Sequence, residues 1–254
     1  CARLYLQEVG RHVVKICDTF KPDLCVVYKG NMFPAWALCY LKQRGVYCVN
    51  VYPDVSFLAH GPEIPECLPL YDHIFTTKTF GMRDLRDELS ITKSEFLPHG
   101  FDPDLHRPIE PNQRDLENFG SDASFIGTWS PKKECYLDYV ASHLPEIRLR
   151  VWGSFWNQNV DFNKRLVSSI TGRIVVGDLY PLCMACSKIN IAILSEKRVG
   201  SSSGDLTTSR TFHITAAGGF MLHERTDELL QFYAEGKEVA CFSDPSELVE
   251  KIKY

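Results

Sequence analysis

The sequence predicts an α/β fold with two Rossmann-like domains. Short apolar segments of strand length alternate with segments of helical periodicity, and a polar stretch interrupts this alternation near the middle of the chain. Such alternation is typical of βαβ units, whose strands form a parallel sheet. A chain of 254 residues is long enough to bury two cores of this kind.

Periodicity and turn residues locate the elements in both halves. In the first half we predict a helix at 2–20, a strand at 24–28, a helix at 35–41, strands at 46–51 and 71–77, a helix near 82–88 and a strand at 95–98. In the second half we predict strands at 123–127, 148–153, 173–176, 188–194, after Gly219 and at 238–242, with helices at 133–144, 180–186, 226–234 and from Pro245.

A polar stretch separates the two halves. It carries three prolines and a charged run at 113–117. Such composition is typical of an interdomain linker. We therefore predict an N-terminal domain at 1–110, a linker at 111–122 and a C-terminal domain at 123–254.

Composition excludes several classes of protein. A net charge of −4 gives no global basic field, which argues against non-specific nucleic-acid binding. No run of about 18 apolar residues is present, so no transmembrane segment is predicted. The ten cysteines are scattered through apolar segments, as buried free thiols are, which favours a reducing, cytoplasmic location. Cys183 and Cys186 form a CxxC pair with no second pair at zinc spacing, so no metal site is predicted.

Residues that follow strands are the first candidates for a site, because open parallel sheets bind ligands at the carboxyl ends of their strands. Gly127 ends one predicted strand, and Lys132 and Lys133 follow it at a helix start. This arrangement suits a phosphate, although a pair of lysines at a surface is also commonly just solvated. Further strand-end candidates are Gly153, Gly177 and Asp178.

The segment 205–219 carries the strongest pattern in the chain. Asp205 and His213 stand eight residues apart in a loop that becomes a helix, with the forked cation Arg210 between them. Free amides at a helix start and paired glycines allow a diphosphate to approach the backbone, which suits a nucleotide-sugar. The candidate donors after the helix are Ala217, Gly218 and Gly219. The alternative is that the two glycines end a helix with positive φ and that Arg210 forms a surface salt bridge.

Two further features lie outside this segment. Asp54 follows a strand of the first half and has His60 nearby in sequence, so it is a candidate general base or a group that orients an acceptor hydroxyl. Alternatively, Asp54 caps a turn. The run Gly200–Gly204 has little to bury and is predicted to be a mobile loop.

The C-terminal part of the chain resembles a known family. The residues that carry the resemblance are Arg210-Thr-Phe212, Ala216-Ala-Gly-Gly-Phe-Met-Leu222, Glu228-Leu-Leu-Gln-Phe232, Gly236-Lys-Glu238-Val and Asp244-Pro-Ser-Glu-Leu248. They resemble the C-terminal domain of the CgeB-like, spore-maturation type of glycosyltransferases in the GT-B superfamily. The match is densest over 205–254 and continues more weakly through 124–127. It implies two Rossmann-like domains facing across a cleft, with the nucleotide-sugar donor on the C-terminal domain and an acceptor of unknown identity on the N-terminal one.

The resemblance also implies roles for individual residues. Related enzymes have Glu-x7-Glu where this chain has Asp205 and His213, the first contacting the donor sugar and the second the ribose. Gly127 and the lysines after it would face the diphosphate, and the loops at Gly153 and Gly177 would hold the base. The chain is expected to be truncated, because it lacks the glycine-rich first strand and the last helix of the family.

The implied activity is sugar transfer to an acceptor hydroxyl, independent of metal and with retention, needing no cofactor beyond the donor. The catalytic candidates are Asp54, His60 and Arg210. Two alternatives stay open: a nucleotide- or glycan-binding module that has lost catalysis, and a nucleotide-sugar epimerase or phosphorylase of the same architecture.

Overall fold

The computed structural model describes residues 2–254, with Ala2 and Arg3 described by their backbone alone. The chain forms two compact α/β units. The first comprises the residues up to Pro98 together with Glu196–Asp205, and the second comprises His99–Ser195 and Leu206–Tyr254. None of the helices within 2–254 is long and apolar enough to cross a membrane.

The first unit is a parallel sheet with helices. Its strands are β1 (Leu24–Tyr28), β2 (Tyr47–Tyr52), β3 (His73–Thr76) and β4 (Ser94–Phe96), and its helices are α1 (Ala2–Phe20), α2 (Ala35–Gln43), α3 (Glu63–Cys67), a 3-10 turn (Leu68–Leu70) and α4 (Gly81–Leu89). The strands pair in the order β1-β2-β3-β4. One apolar cluster forms the core, with Leu38 and Leu41 from α2 packed against β2 and β3.

The second unit is a larger parallel sheet. Its strands are β5 (Ser121–Ile126), β6 (Leu149–Trp152), β7 (Ser187–Ala192), β8 (Met221–Glu224) and β9 (Ala240–Phe242). Its helices are α5 (Gln113–Phe119), α6 (Pro131–His143), α7 (Trp156–Asn159), α8 (Leu179–Ala185), α9 (Ser209–Ala216), α10 (Leu229–Phe232) and α11 (Pro245–Lys253), with a 3-10 turn at Arg165–Ser169. The strand order is β6-β5-β7-β8-β9.

Both faces of the second sheet are covered. Phe125 and Ile126 are neighbours on β5, and because strand side chains alternate, each lies in a different core cluster. The chain leaves β5 toward β6 on one side and then crosses to β7 on the other side. The switch point, where such sheets bind ligands, therefore lies at the carboxyl ends of β5 and β7.

The predicted strand at 173–176 and the predicted linker differ in the structure. Residues 173–176 form no strand, because the chain there contributes only single bonds to its neighbour, such as the Gly153 amide donating to the Arg173 carbonyl at 2.9 Å. Helix α5 lies inside the segment predicted as a linker, 111–122. It forms because Asn112 and Asp115 cap its first turn reciprocally. The predicted domain limits, 1–110 and 123–254, remain a prediction.

The segment Gly200–Gly204 is packed, contrary to the expectation of a loop with little to bury. The Ser201 side chain is buried, and its hydroxyl donates to the carbonyl of Arg198 at 2.8 Å. The Ser202 amide donates to the Asp84 carboxylate at 2.9 Å. A Cβ on Gly200 would lie 2.5 Å from a methyl carbon of Leu58. Sequence composition could not reveal the contacts with Asp84 and Leu58, because these partners lie far away in the chain.

Candidate functional site

Arg210 lies at the switch point of the second sheet. It is the second residue of α9, and at the start of this helix the Thr211 hydroxyl accepts from the Thr208 amide at 2.9 Å. Its guanidinium donates to the Ile126 carbonyl at 3.2 Å and to the Ile193 carbonyl at 2.9 Å. The first carbonyl ends β5 and the second follows β7. These two bonds therefore place the cation at the carboxyl ends of both strands.

Lys133 brings a second cation to the same pair of strands. It is the third residue of α6, and Ser130 caps that helix by accepting from the Lys133 amide. The side-chain ammonium donates to the Thr128 carbonyl and to the Ser195 hydroxyl, each at 3.2 Å. Thr128 follows β5 and Ser195 follows β7. Lys133 is buried, so its charge is weakly screened by solvent.

Gly127 and Gly153 allow two strand-end loops to approach this place closely. A Cβ on Gly127 would clash with the Arg210 guanidinium. A Cβ on Gly153 would clash with the Gly127 carbonyl oxygen, and φ at Gly153 is +128°. The Trp156 indole fixes the same carbonyl by donating to it at 2.8 Å. Gly153 is therefore required for this packing, because its Cβ would meet main chain, whereas a Cβ on Gly127 would displace the end of the Arg210 side chain.

The other strand-end candidates of this unit lie in different surroundings. Lys132 forms an ion pair with Glu224 at 2.6 Å, and the second oxygen of Glu224 accepts from the Leu194 amide at 3.0 Å. Lys132 is thus tied to the end of β8. Gly177 and Asp178 precede α8, where the Asp178 carboxylate is largely exposed. Their role in binding the base remains a prediction.

His213 is packed against two aromatic side chains. Its ring stacks on His106 with 3.7 Å between centroids and 18° between planes, and Nδ1 lies 3.3 Å from the Tyr180 hydroxyl. Burial, and secondly the neighbouring His106, lower the pKa of His213 to about 4. The imidazole is therefore neutral in the neutral pH range. His106 carries no signal of its own in the sequence, because it stands alone in a polar segment.

Ala217, Gly218 and Gly219 form the end of a helix and lie away from the candidate site. Gly218 has φ +74° and its amide donates to the Thr215 carbonyl at 3.0 Å, while the Gly219 amide donates to the Ile214 carbonyl at 2.9 Å. This is the bonding of a Schellman motif. Ala217 is buried in the core. Both glycine amides are used within this motif, and the two glycines precede β8 at its amino end. A contact of these residues with a diphosphate remains a prediction that this bonding does not support.

The first unit gathers Asp54 and His60 with an additional cation. Lys29, which follows β1, lies 2.8 Å from the Asp54 carboxylate, and His60 Nε2 lies 3.3 Å from the same oxygen. Asp54 follows β2, so the cluster stands at the carboxyl ends of two adjacent strands. Asp54 is partly exposed, with 30% of its side-chain surface accessible. A small molecule can therefore reach the carboxylate.

Asp205 is part of a buried ion pair of the first unit. Its carboxylate lies 2.6 Å from the Lys78 ammonium, and both side chains are less than a tenth exposed. Asp205 belongs to the first unit and His213 to the second. A joint role of the two on a donor remains a prediction.

Lys29 and Lys78 were not among the predicted site residues. Both follow strands, Lys29 after β1 and Lys78 after β3. A cation after a predicted strand is the same signal that marks Lys132 and Lys133, so the sequence does contain the information that identifies these two lysines.

Comparison with known proteins gives a family match for part of the chain. Residues 134–254 match a family model described as glycosyl transferase-like. That region includes Arg210 and His213 and begins directly after Lys133. No curated protein matches the chain.

Solved structures establish the fold. Sucrose-phosphate synthase from Thermosynechococcus elongatus matches with a TM-score of 0.65 at 12% identity, over 98% of this chain and 68% of that one. AviGT4, a glycosyltransferase involved in avilamycin A biosynthesis, matches with a TM-score of 0.60 at 14% identity, over 98% and 68%. UDP-GlcNAc 2-epimerase from Methanocaldococcus jannaschii matches with a TM-score of 0.54 at 9% identity, over 98% of this chain and 74% of that one. The predicted α/β fold of GT-B type, with two Rossmann-like domains, is confirmed.

Proposed function

We propose that the protein is a glycosyltransferase that moves a sugar from a nucleotide-sugar to an acceptor hydroxyl, without a metal ion and with retention. The observation that supports this most directly is the convergence of Lys133 and Arg210 on the carboxyl ends of β5 and β7. The glycosyl transferase-like match of residues 134–254 supports the same activity. We propose that the protein acts in the cytoplasm.

The two cations suit the leaving group of this reaction. When the bond between the anomeric carbon and the diphosphate breaks, negative charge grows on the diphosphate oxygens. An ammonium and a guanidinium held in advance by backbone carbonyls stabilise that charge without reorganising. Arg210 suits a diphosphate further because its planar donors can bind two oxygens at once.

His213 stands where the resemblance implies a ribose contact. A neutral imidazole has one donor and one acceptor, which suits a single hydroxyl in place of the bidentate contact of a carboxylate. Its pKa of about 4 moves any pH dependence of this contact well below neutrality. The stack with His106 keeps the ring in one orientation.

Asp54 is proposed to orient the acceptor hydroxyl and to take its proton. Lys29 and His60 both contact one oxygen of this carboxylate, at 2.8 and 3.3 Å. A carboxylate held at a strand end can accept a hydrogen bond from a sugar hydroxyl. Asp205 is proposed to contact the donor sugar.

Two alternatives each have an observation in their favour. The epimerase alternative is supported by the similar fold of the UDP-GlcNAc 2-epimerase, whose name includes a nucleotide-sugar. The binding-module alternative is supported by the burial of His213 under His106, which reduces access to that ring. The products distinguish the three functions: free nucleoside diphosphate with transferred sugar, an epimerised donor, or binding without turnover.

Calorimetry with UDP, GDP and ADP tests the donor site. We expect one of them to bind and Arg210→Ala to weaken that binding by about 1.5–3 kcal/mol, the range for hydrogen bonds to charged groups. Arg165→Ala removes an exposed arginine of the same unit and serves as the control. Thermal unfolding of both variants separates lost affinity from lost folding. Equal affinity in the wild type and Arg210→Ala would remove Arg210 from the site.

A further inference from the structure

A cavity lies beside β6, the edge strand of the second sheet. Its volume is about 680 Å³, within the range of small-molecule sites. Three arginines line it, together with hydroxyl and amide side chains; these residues are Arg148, Arg150, Arg173, Asn118, Ser168, Ser169 and Thr171. None of the donor-site residues Gly127, Lys133 and Arg210 lines it. The cavity is therefore separate from the site proposed above.

The positive charge of this cavity is not neutralised by the protein. Within residues 2–254, Arg148, Arg150 and Arg173 form no ion pair with a carboxylate. Arg148 donates to the Glu117 carbonyl at 3.2 Å and Arg150 to the Asn118 carbonyl at 2.6 Å, both at the end of α5. Each bond uses one of the five N–H donors of a guanidinium, so most donors remain.

One carboxylate contacts the backbone of this cavity, and it already has a cationic partner. Asp122 accepts from the backbone amide of Arg148 at 2.9 Å, but its carboxylate also pairs with Lys188 at 2.7 Å. Burial lowers the pKa of Arg150, and repulsion from Arg148 lowers it further. Like charges gathered in one cavity favour an anion, because an anion relieves their repulsion.

We infer that this cavity binds a phosphate monoester of a sugar. Guanidinium groups match phosphate oxygens in pairs, which explains the choice of arginine over lysine. A cavity of about 680 Å³ is too large for a bare phosphate, which leaves space for a sugar ring. Ser169 and Asn118 in the lining provide partners for its hydroxyls.

Titration calorimetry with glucose 6-phosphate tests this inference, with glucose and inorganic phosphate as separate arms. We expect saturable binding of glucose 6-phosphate, weaker binding of phosphate and none of glucose. Arg173→Ala should weaken glucose 6-phosphate binding at least fivefold. Arg173 is the best choice because its guanidinium makes no hydrogen bond within the described residues, so its loss should not disturb folding.

Two controls make the result decisive. Arg11→Ala removes an exposed arginine that does not line the cavity, and Arg210→Ala tests whether the ligand occupies the donor site; both should leave glucose 6-phosphate affinity unchanged. The inference is overturned if binding is not saturable, if Arg11→Ala weakens it as much as Arg173→Ala, or if only Arg210→Ala weakens it. Equal affinity for phosphate and glucose 6-phosphate would overturn the sugar-binding part.

Discussion

Gly153 combines an unusual backbone conformation with a close contact to main chain. Its φ of +128° disfavours any side chain, and a Cβ would clash with the Gly127 oxygen. We expect Gly153→Ala to lower the free energy of unfolding by about 2–4 kcal/mol, since it combines backbone strain with a clash against main chain. Urea unfolding measures this change.

Gly177→Ala is the matched control for Gly153→Ala. Gly177 also has positive φ, at +58°, but a Cβ there would meet nothing within 4 Å. Only the backbone cost applies, about 1–2 kcal/mol. Equal losses in the two variants would show that the contact with Gly127 contributes nothing.

His213 makes the free energy of unfolding depend on pH in the acidic range. Its folded pKa of about 4 lies below the ordinary value near 6.5, so between these values the unfolded chain binds more protons than the folded one. Stability should therefore fall as the pH drops from about 6.5 to about 4. Buried His223, whose pKa burial lowers to about 4, adds to the same fall.

His213→Phe isolates this contribution. Phenylalanine keeps a ring to stack on His106 but has no proton to gain. We expect the fall in unfolding free energy between pH 6.5 and 4 to be smaller in the variant than in the wild type, as measured by urea unfolding at several pH values. An identical slope would mean that His213 is not buried as described.

Local sequence patterns point to some candidate site residues and miss others. Lys133 and Arg210 follow strand ends and helix starts, and the structure brings both to the same two strands. Gly218 and Gly219 carry the same glycine signal as a phosphate loop, and only the length of α9 shows that they end a helix. His106 belongs to the site only because it stacks on His213, which lies more than a hundred residues away in the chain. No local sequence pattern contains that contact.

At the scale of elements, the segment from Glu196 to Asp205 is held by the first unit although it follows β7 in sequence. Asp84 of α4 is buried and accepts from the Ser202 amide. We expect Asp84→Ala to speed hydrogen exchange of the peptide around Ser202, because the amide loses its acceptor. Asp87→Ala, an exposed position of the same helix paired with Arg86, is the control. Unchanged exchange at Ser202 would contradict the contact.

Element prediction succeeded where periodicity was strong. The pattern predicts the strands of the first sheet and the helix α6 to within a few residues of their bounds in the structure. The predicted strand at 173–176 failed because alternating apolar residues there, such as Ile174 and Val176, are exposed beside the edge of the sheet. An apolar segment becomes a strand only when a neighbour offers a full row of backbone partners.

For the whole molecule, the division into units predicts how fragments behave. A fragment ending at Pro98 lacks Asp205, the partner of buried Lys78, and lacks Gly200, which packs on Leu58. We expect it to unfold at a lower urea concentration than the same fragment joined through a Gly/Ser linker to residues 196–205. With Asp205→Ala, the urea midpoint of the joined fragment should lie between those of the short fragment and the unsubstituted joined fragment. Identical midpoints for all three would refute this role of the segment.

The Lys78–Asp205 pair also determines when the first unit can complete its folding during synthesis on the ribosome. Synthesis proceeds from the N-terminus, so β1 to β4 and Lys78 emerge first. Asp205, whose carboxylate pairs with the Lys78 ammonium in the folded protein, is made only after β7. The first unit therefore reaches its final state late, when much of the second has already left the exit tunnel. Slower translation of the codons after residue 98 would lengthen the time for which this incomplete unit is exposed to chaperones and proteases.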